Sequence, residues 1–372
     1  MNDLRDRLRL ARTDGVGPVT YRRLMREYLD PLAALDALPG LAVAAGRATP
    51  PRIPSNSDAQ QELDEVAKLG GRILVLDGPD YPPLLGMLEI APPVLTVLGN
   101  VAALTRRSVA VVGARNASSH GQRMAEALAA ELGQAGLVVV SGMARGVDAA
   151  AHRGALQTGC TIAAVAGGVD VVYPPENAAL QRSVAEGGAV VAEAPLGTAP
   201  QARHFPRRNR IIAGLSLGVV VIEAALRSGS LITARLAQEM NRDVFAVPGS
   251  PLDPRCRGSN DLIRSGAFLT ESAADVLQHL MAFPTDHATP ALVAVAEASD
   301  PFQAVSDPAH IRERIIELLG FAPTPVDDLV RRCQFSAAAV AAALSDLELA
   351  GRIELLPGHQ ACLLVSPEND GG

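Results

Sequence analysis

Seven short apolar runs cross the middle of the chain: GRILVL, SVAVV, LVVV, TIAAVA, AVVAE, GVVVIEA and DVFAVP. Each is long enough for a strand and too short for a helix. Between them lie segments of helical period such as SHGQRMAEALAAELGQAG and GSLITARLAQEM. Apolar runs with almost no polar alternation, separated by helices, predict a parallel sheet covered on both faces. The expected fold is α/β, a doubly wound, mostly parallel sheet. On the N-terminal side, Leu4, Leu8 and Ala11, then Leu24, Leu32, Leu35 and Leu38, predict short helices that ATPPRIPSNSD interrupts. On the C-terminal side, FPTDHATPALVAVAEASDPFQAVSDPA reads as a linker rich in Pro, Ala and Asp. Three helical patterns follow, IRERIIELLG, VDDLVRRCQ and SAAAVAAALSDLELAG, and then RIELLPGHQACLLV, a hairpin turning at Pro357 and Gly358. The predicted boundaries are a small helical domain at 1–56, the sheet domain at 57–282, a linker at 283–308 and a last domain at 309–366.

Composition narrows the chemistry. The chain has 372 residues, no Trp, four Tyr and seven Phe, so Ala, Val and Leu build the core and platforms for stacking a base are scarce. Cys160, Cys256, Cys333 and Cys362 are far apart and form no CxxC pair, against zinc and against a disulfide framework. No metal or cofactor is expected. The opening MNDLRDRLRL is charged throughout, and no apolar run approaches the roughly 18 residues of a spanning helix. A soluble cytoplasmic protein with no membrane contact is the expectation. The net charge of −7 looks wrong for a nucleic-acid binder until it is divided along the chain. Between residues 100 and 270, 17 arginines face 12 acids, whereas from residue 307 onward five arginines face ten. The middle is cationic, and the tail repels phosphate.

The cations recur where strands turn into helices. VGARNAS follows SVAVV and carries Gly113 and Arg115; SGMARGVDAAAH follows LVVV and carries Ser141, Gly142, Arg145 and Gly146. HFPRRNRIIAGLS concentrates Arg207, Arg208 and Arg210 around Asn209, with Phe205 before them, and RSGSLITA opens a helix at Ser228, Gly229 and Ser230. Glycine turns at one sheet edge present backbone N–H groups and guanidiniums to a ligand with several phosphates. The VGARNAS turn is a weak dinucleotide fingerprint, since the third glycine is missing and LVVV runs into Ser141 instead of an acid. At helical spacing Arg207 and Arg210 share a face and Arg208 turns away. Phe205 is either a stacking surface or a core anchor, and the serines cap the helix whether or not they bind an anion. Asp148 and His152, four apart, invite an acid–base role or a structural hydrogen bond; no nucleophile is evident beside them, so no catalytic residue is assigned.

The order VGARNAS, SGMARGVDAAAH, GGVDVVYPPEN, HFPRRNRIIAGLS, RSGSLITA and VPGSPLDPRCRGSNDLIRSGA resembles the DNA-processing protein A (DprA, or Smf) family. The resemblance spans roughly residues 70 to 270, with DGPDYPPLL and PPVLTVLG leading in. It implies an extended Rossmann-like sheet and a homodimer that binds single-stranded DNA without sequence preference and loads the recombinase RecA onto incoming strands during natural transformation. Carried over, the DNA pocket falls on Gly113 and Arg115 and on the FPRRNR stretch. The family often has lysine at some positions; Lys68 is the single lysine here, so arginine must supply the charge. The N-terminal TDGVGPVTYRRLM resembles a helix-hairpin-helix or SAM-like module, in which the Gly15–Gly17 turn and Arg22 and Arg23 either touch a backbone phosphate or pack a neighbouring helix. The last domain resembles a winged helix.

Two other readings remain. The sheet is also similar to that of lysine-decarboxylase-like enzymes that release a base from a nucleoside monophosphate. Their PGGxGTxxE motif has LRSGSLITA in its place here, without an acid, leaving Glu193 or Glu223 as substitutes. The second makes the winged helix the DNA reader. Its candidate groove helix SAAAVAAALSDLELAG lacks Arg and Lys, and groove readers need cations. That domain is expected to bind protein or regulate the dimer, and its deletion to leave oligonucleotide affinity largely intact. GAFLTESAADVLQHLM is a candidate dimer surface.

Overall fold

The apolar runs become strands because their Val, Ile and Ala side chains pack on both faces of one sheet. The computed structural model describes residues 2–47, 49–281 and 308–364. It opens with α1 (Asn2–Ala11), α2 (Pro18–Tyr28) and α3 (Pro31–Ala44). Then come α4 (Asn56–Lys68), β1 (Gly71–Val75), α5 (Pro83–Gly86), β2 (Val94–Gly99), β3 (Ser108–Val112), α6 (Ser119–Gln134), β4 (Val138–Ser141), α7 (Val147–Thr158) and β5 (Thr161–Ala164). The sheet is completed by α8 (Ala178–Gly187), β6 (Ala189–Ala192), α9 (His204–Leu215), β7 (Gly218–Val221), α10 (Gly229–Glu239), β8 (Asp243–Ala246), α11 (Arg257–Arg264), β9 (Phe268–Leu269) and α12 (Ala273–Met281). After Pro308 follow α13 (Pro308–Leu318), β10 (Thr324–Pro325), α14 (Val326–Cys333), α15 (Ala337–Leu349), β11 (Ile353–Leu356) and β12 (Gln360–Leu363).

The chain divides into two compact units, Gln60–Phe283 and, together, Met1–Ala59 with Pro284–Gly372. In the first, nine strands lie in the order β1-β2-β6-β5-β4-β3-β7-β8-β9. From β6 to β9 every pairing is parallel; β1 and β2 are antiparallel additions at one edge. The doubly wound reading holds, with two strands more than the seven apolar runs. PPVLTVLG supplies β2, whose first four residues are buried, and β9 is only two residues long. Strands β3, β4, β5 and β7 are buried at every residue, as two-sided cover requires. One core cluster packs Val109, Val111, Leu128, Leu132, Val139, Val220 and Phe245 between the sheet and helices α6, α7 and α12.

In the second unit, Leu8, Leu24, Leu35 and Leu38 are buried in the N-terminal helices, while the expected core residue Leu32 is exposed and Leu10 and Tyr21 are buried instead. Leu32 lies in the first turn of α3, where Asp30 accepts from Leu32 N and Ala33 N as the cap, so that turn faces outward. The winged-helix segment packs Ile315, Leu329, Val340, Leu344 and Ile353 into one cluster, beside a three-stranded sheet β10-β12-β11. The predicted linker 283–308 lies outside the described residues apart from Pro308.

Candidate nucleic-acid interface

Strand order reverses between β3 and β7, and a cleft of about 750 Å³ opens there at the carboxyl ends of the strands. Such a switch point is where loops part from both sides and leave a crevice. The β3–α6 turn brings Gly113, Arg115 and Asn116 to it, the β7–α10 turn brings Arg227, Ser228, Gly229 and Ser230, and α9 forms a wall. From α9 the lining residues are Phe205, Pro206, Arg208, Asn209 and Ile212, a stripe at helical spacing. The stripe contains Arg208 and omits Arg207 and Arg210, so the face expected to turn away is the one that meets the cleft. Packing of α9 on the sheet sets this, which spacing alone does not reveal.

Charge and aromatic surface coincide at the mouth. The guanidinium of exposed Arg115 lies 4.9 Å from the centroid of the Phe205 ring, and that of Arg208 lies 5.8 Å from it. Tyr173, 47% exposed, tilts against Phe205 with centroids 5.8 Å apart. Attraction between the guanidinium and the ring face holds Arg115 beside a flat aromatic surface at the mouth. The N-terminus of α10 faces the same space. Ser228 caps it by accepting from Ser230 N at 3.3 Å, its hydroxyl 2.7 Å from that of Ser230, and Asn209 Nδ2 donates to Gly229 O at 3.3 Å.

Arg208 is almost wholly buried, and its Nη1 donates to Ala164 O at 2.9 Å. Burial pulls the guanidinium down to about 10; Asp148 opposes that shift and Arg115 adds to it. Arg208 therefore stays charged at neutral pH, with Asp148 as its neighbouring counter-group. Asp148 is pushed up by burial and drawn back mainly by Arg208, and its carboxylate accepts from Ala144 N at 3.2 Å. His152 is fully buried, its Nδ1 2.7 Å from Thr161 Oγ1, and burial, with Arg208 and Arg153, holds it down at about 3. The two residues thus sit in separate structural hydrogen bonds, and His152 is neutral and out of reach of solvent. The substitute acids are also committed: Glu223 accepts from Ser118 N at 2.9 Å and Ser118 Oγ at 2.5 Å, and Glu193 meets Arg210 at 2.5 Å.

Several expected site residues lie outside the cleft lining. Ser141 is fully buried and its hydroxyl donates to Val111 O at 2.7 Å, tying β4 to β3. Gly142 leaves the space that the Arg208 guanidinium fills. Gly146, at φ 73°, lets the α7 entry pass against the Ala114 carbonyl, where a side chain would be both strained and in collision. Arg145 is exposed and paired with Glu176. Arg210 is 3% exposed, bonded to Ile90 O and Glu193. The expectation that Ser141 and Arg210 offer groups to a ligand is corrected, because burial and internal partners consume both. Tyr173, Asn116 and Arg227 line the cleft unforeseen; the one signal for Tyr173 was its place in GGVDVVYPPEN in a chain with four tyrosines. Among the described residues there is no cluster of metal-ligating side chains, and no helix is long and apolar enough to cross a membrane.

Comparison with known proteins bears on all three segments. A family model described as DNA recombination-mediator protein A matches residues 72–281, a DprA-like N-terminal HHH domain matches 2–64, and a DprA winged helix domain matches 299–359. Protein Smf of Synechocystis sp. is 33% identical over 380 residues, 94% of this chain and 96% of that protein. The X-ray structure of DNA processing protein A from Streptococcus pneumoniae is 42% identical, with a TM-score of 0.57 over 60% of this chain and 78% of that one. DNA processing protein A from Helicobacter pylori, solved to describe its single-stranded DNA binding mode, is 29% identical, with a TM-score of 0.52 over 56% of this chain and 96% of that one.

Proposed function

The chain belongs to the DNA recombination-mediator protein A family, and we propose that it binds single-stranded DNA in the cleft between β3 and β7, through phosphates and base faces and without reading sequence. The observation that carries this is the mouth of the cleft, where Arg115 sits on Phe205, Phe205 meets Tyr173, and the N-terminus of α10 opens alongside. Guanidiniums and helix-end N–H groups replace counterions on phosphates, and aromatic faces accept any base. In this proposal the site assists strands in recombination and breaks no bond; Asp148 is the sole acid lining the cleft among the described residues, and it is buried beside Arg208.

The cytoplasmic partners proposed with it are RecA, loaded onto incoming strands in natural transformation, and a second copy of the chain. Family membership supports both. The edge strand β9 adds a local reason for the dimer, since Phe268 and Leu269 are 40% and 51% exposed on an unpaired edge with His279 edge-on to Phe268 at 3.9 Å. Sedimentation of Leu269→Glu checks this: a monomer supports the β9 edge, and an unchanged dimer removes it.

For the DNA site, fluorescence anisotropy of labelled oligo-dT, oligo-dC and a mixed sequence, at two salt concentrations, is the test. The expected result is a steep fall with salt and less than about a threefold spread between sequences. Tight binding of one sequence alone, or binding indifferent to salt, contradicts the proposal. Release of free base from nucleoside monophosphates would restore the enzyme reading.

A further inference from the structure

The N-terminal turn between α1 and α2 was open to two readings, a phosphate contact or a packing turn. The structure shows what lies against it, within the same compact unit: the C-terminal end of α15. Gly15, at φ 82°, brings the turn so close that a side chain would meet the Glu348 and Leu349 carbonyls at 3.0 and 3.1 Å. A side chain at Gly17 would collide with the Glu348 carboxylate itself. Gly17 opens α2 without a side-chain cap, so the helix leaves its first-turn N–H groups to whatever faces them. Thr20 Oγ1 donates to Glu348 Oε2 at 2.5 Å, with Thr20 fully buried and Glu348 8% exposed.

Cations flank this seat. Both terminal nitrogens of Arg23 reach Asp346 Oδ1 at 3.1 Å, and Arg312 meets the other oxygen at 3.3 Å. Arg47 Nη1 donates to Leu349 O at 3.2 Å and to Asp14 O at 3.1 Å. Two carboxylates and the negative end of α15 thus face the positive end of α2, a hydroxyl and, from the N-terminal module, the guanidiniums of Arg23 and Arg47. Acceptor oxygens on a helix N-terminus with arginines to either side is the arrangement a phosphodiester backbone presents to such a turn. The acids of the tail therefore do more than repel nucleic acid: two of them lie on the turn.

We propose that Glu348 and Asp346 stand in for phosphates, closing a second polynucleotide-backbone site on the N-terminal module, and that nucleic acid opens it by displacing the end of α15. The proposal rests on the reading that this chain binds polynucleotide, and adds a site that the cleft does not include.

The test uses the full chain carrying Asp346→Asn and Glu348→Gln together, which keep size and hydrogen-bonding capacity and remove charge. Labelled oligo-dT is titrated over about 50 to 200 mM salt, and the slope of log affinity against log salt is expected to steepen by about 0.7 for each phosphate newly engaged. Adding Arg23→Ala to that variant should cancel the gain. A folded double variant with the slope and affinity of the parent overturns the proposal. In the parent, amide exchange in residues 346–350 should quicken on saturation with oligonucleotide; unchanged or slower exchange also overturns it. Failure of the cleft reading looks different: Arg115→Ala with Phe205→Ala then leaves oligonucleotide affinity at the parent's value, while the Asp346→Asn, Glu348→Gln variant still gains affinity through the opened turn.

Discussion

The cleft of the sheet and the turn before α2 are built from the same parts, glycines at a turn, a helix N-terminus and arginines, yet they present opposite electrostatic states. In the cleft, Arg115 lies on a ring and reaches solvent, with Arg208 buried beneath it. At the N-terminal turn, Arg23 and Arg47 are held by Asp346 and by the end of α15. A glycine turn with arginines is therefore an anion seat only when the surrounding fold leaves it unoccupied. The local motif supplies capacity, and tertiary packing decides whether it is spent.

Four changes would break or sharpen that contrast. The largest effect is expected from Arg115→Ala with Phe205→Ala, which removes an exposed cation and a stacking face together; a loss of about 3–4 kcal/mol in oligonucleotide binding follows from typical stacking and phosphate contributions. Anisotropy titration reads it directly, with circular dichroism to confirm the fold. Next, Arg210→Ala removes one partner of a largely buried ion pair with Glu193. Because Glu193 keeps some solvent contact, a cost of about 2–3 kcal/mol in urea unfolding is expected, with affinity of the folded protein unchanged.

Third comes a pH effect at His152. Burial lowers it from 6.5 to about 3, so between these values the unfolded chain takes up a proton that the folded chain refuses, and stability falls as pH drops through that window. Asp148, shifted upward, acts with the opposite sign, but it is common to parent and variant. The stability lost between about pH 7 and pH 5 should be about 2 kcal/mol smaller in His152→Gln than in the parent. Equal losses would mean that His152 titrates in the folded state. The smallest effect belongs to Arg145→Ala: its pair with Glu176 is exposed and screened by solvent, so the urea-unfolding midpoint should stay that of the parent. A large loss of oligonucleotide affinity there would extend the site beyond the cleft.

The sheet was legible because unbroken apolar runs have one economical outcome, burial on both faces. Strand β2 lies within the lead-in segment PPVLTVLG, and β9 is too short to form a pattern. The cleft was legible as a set of turns but not as a surface. Helical spacing groups Arg207 with Arg210, yet which stripe of α9 faces the cleft depends on how α9 lies on the sheet, and it is the stripe that carries Arg208. Tyr173 sits in a loop where no period marks it. The contact of Thr20 with Glu348 spans 328 positions, and neither residue's neighbourhood signals the other. Local rules read the elements; the occupied turn could be seen only once distant segments met.

Where a bound strand lies is the central claim, and photocrosslinking measures it most directly. A bromouracil-containing single strand, irradiated with the full chain and mapped by mass spectrometry, should give adducts on the peptides holding Tyr173 and Phe205. Adducts confined to residues 2–47 or 308–364, with none on those two peptides, would contradict the account.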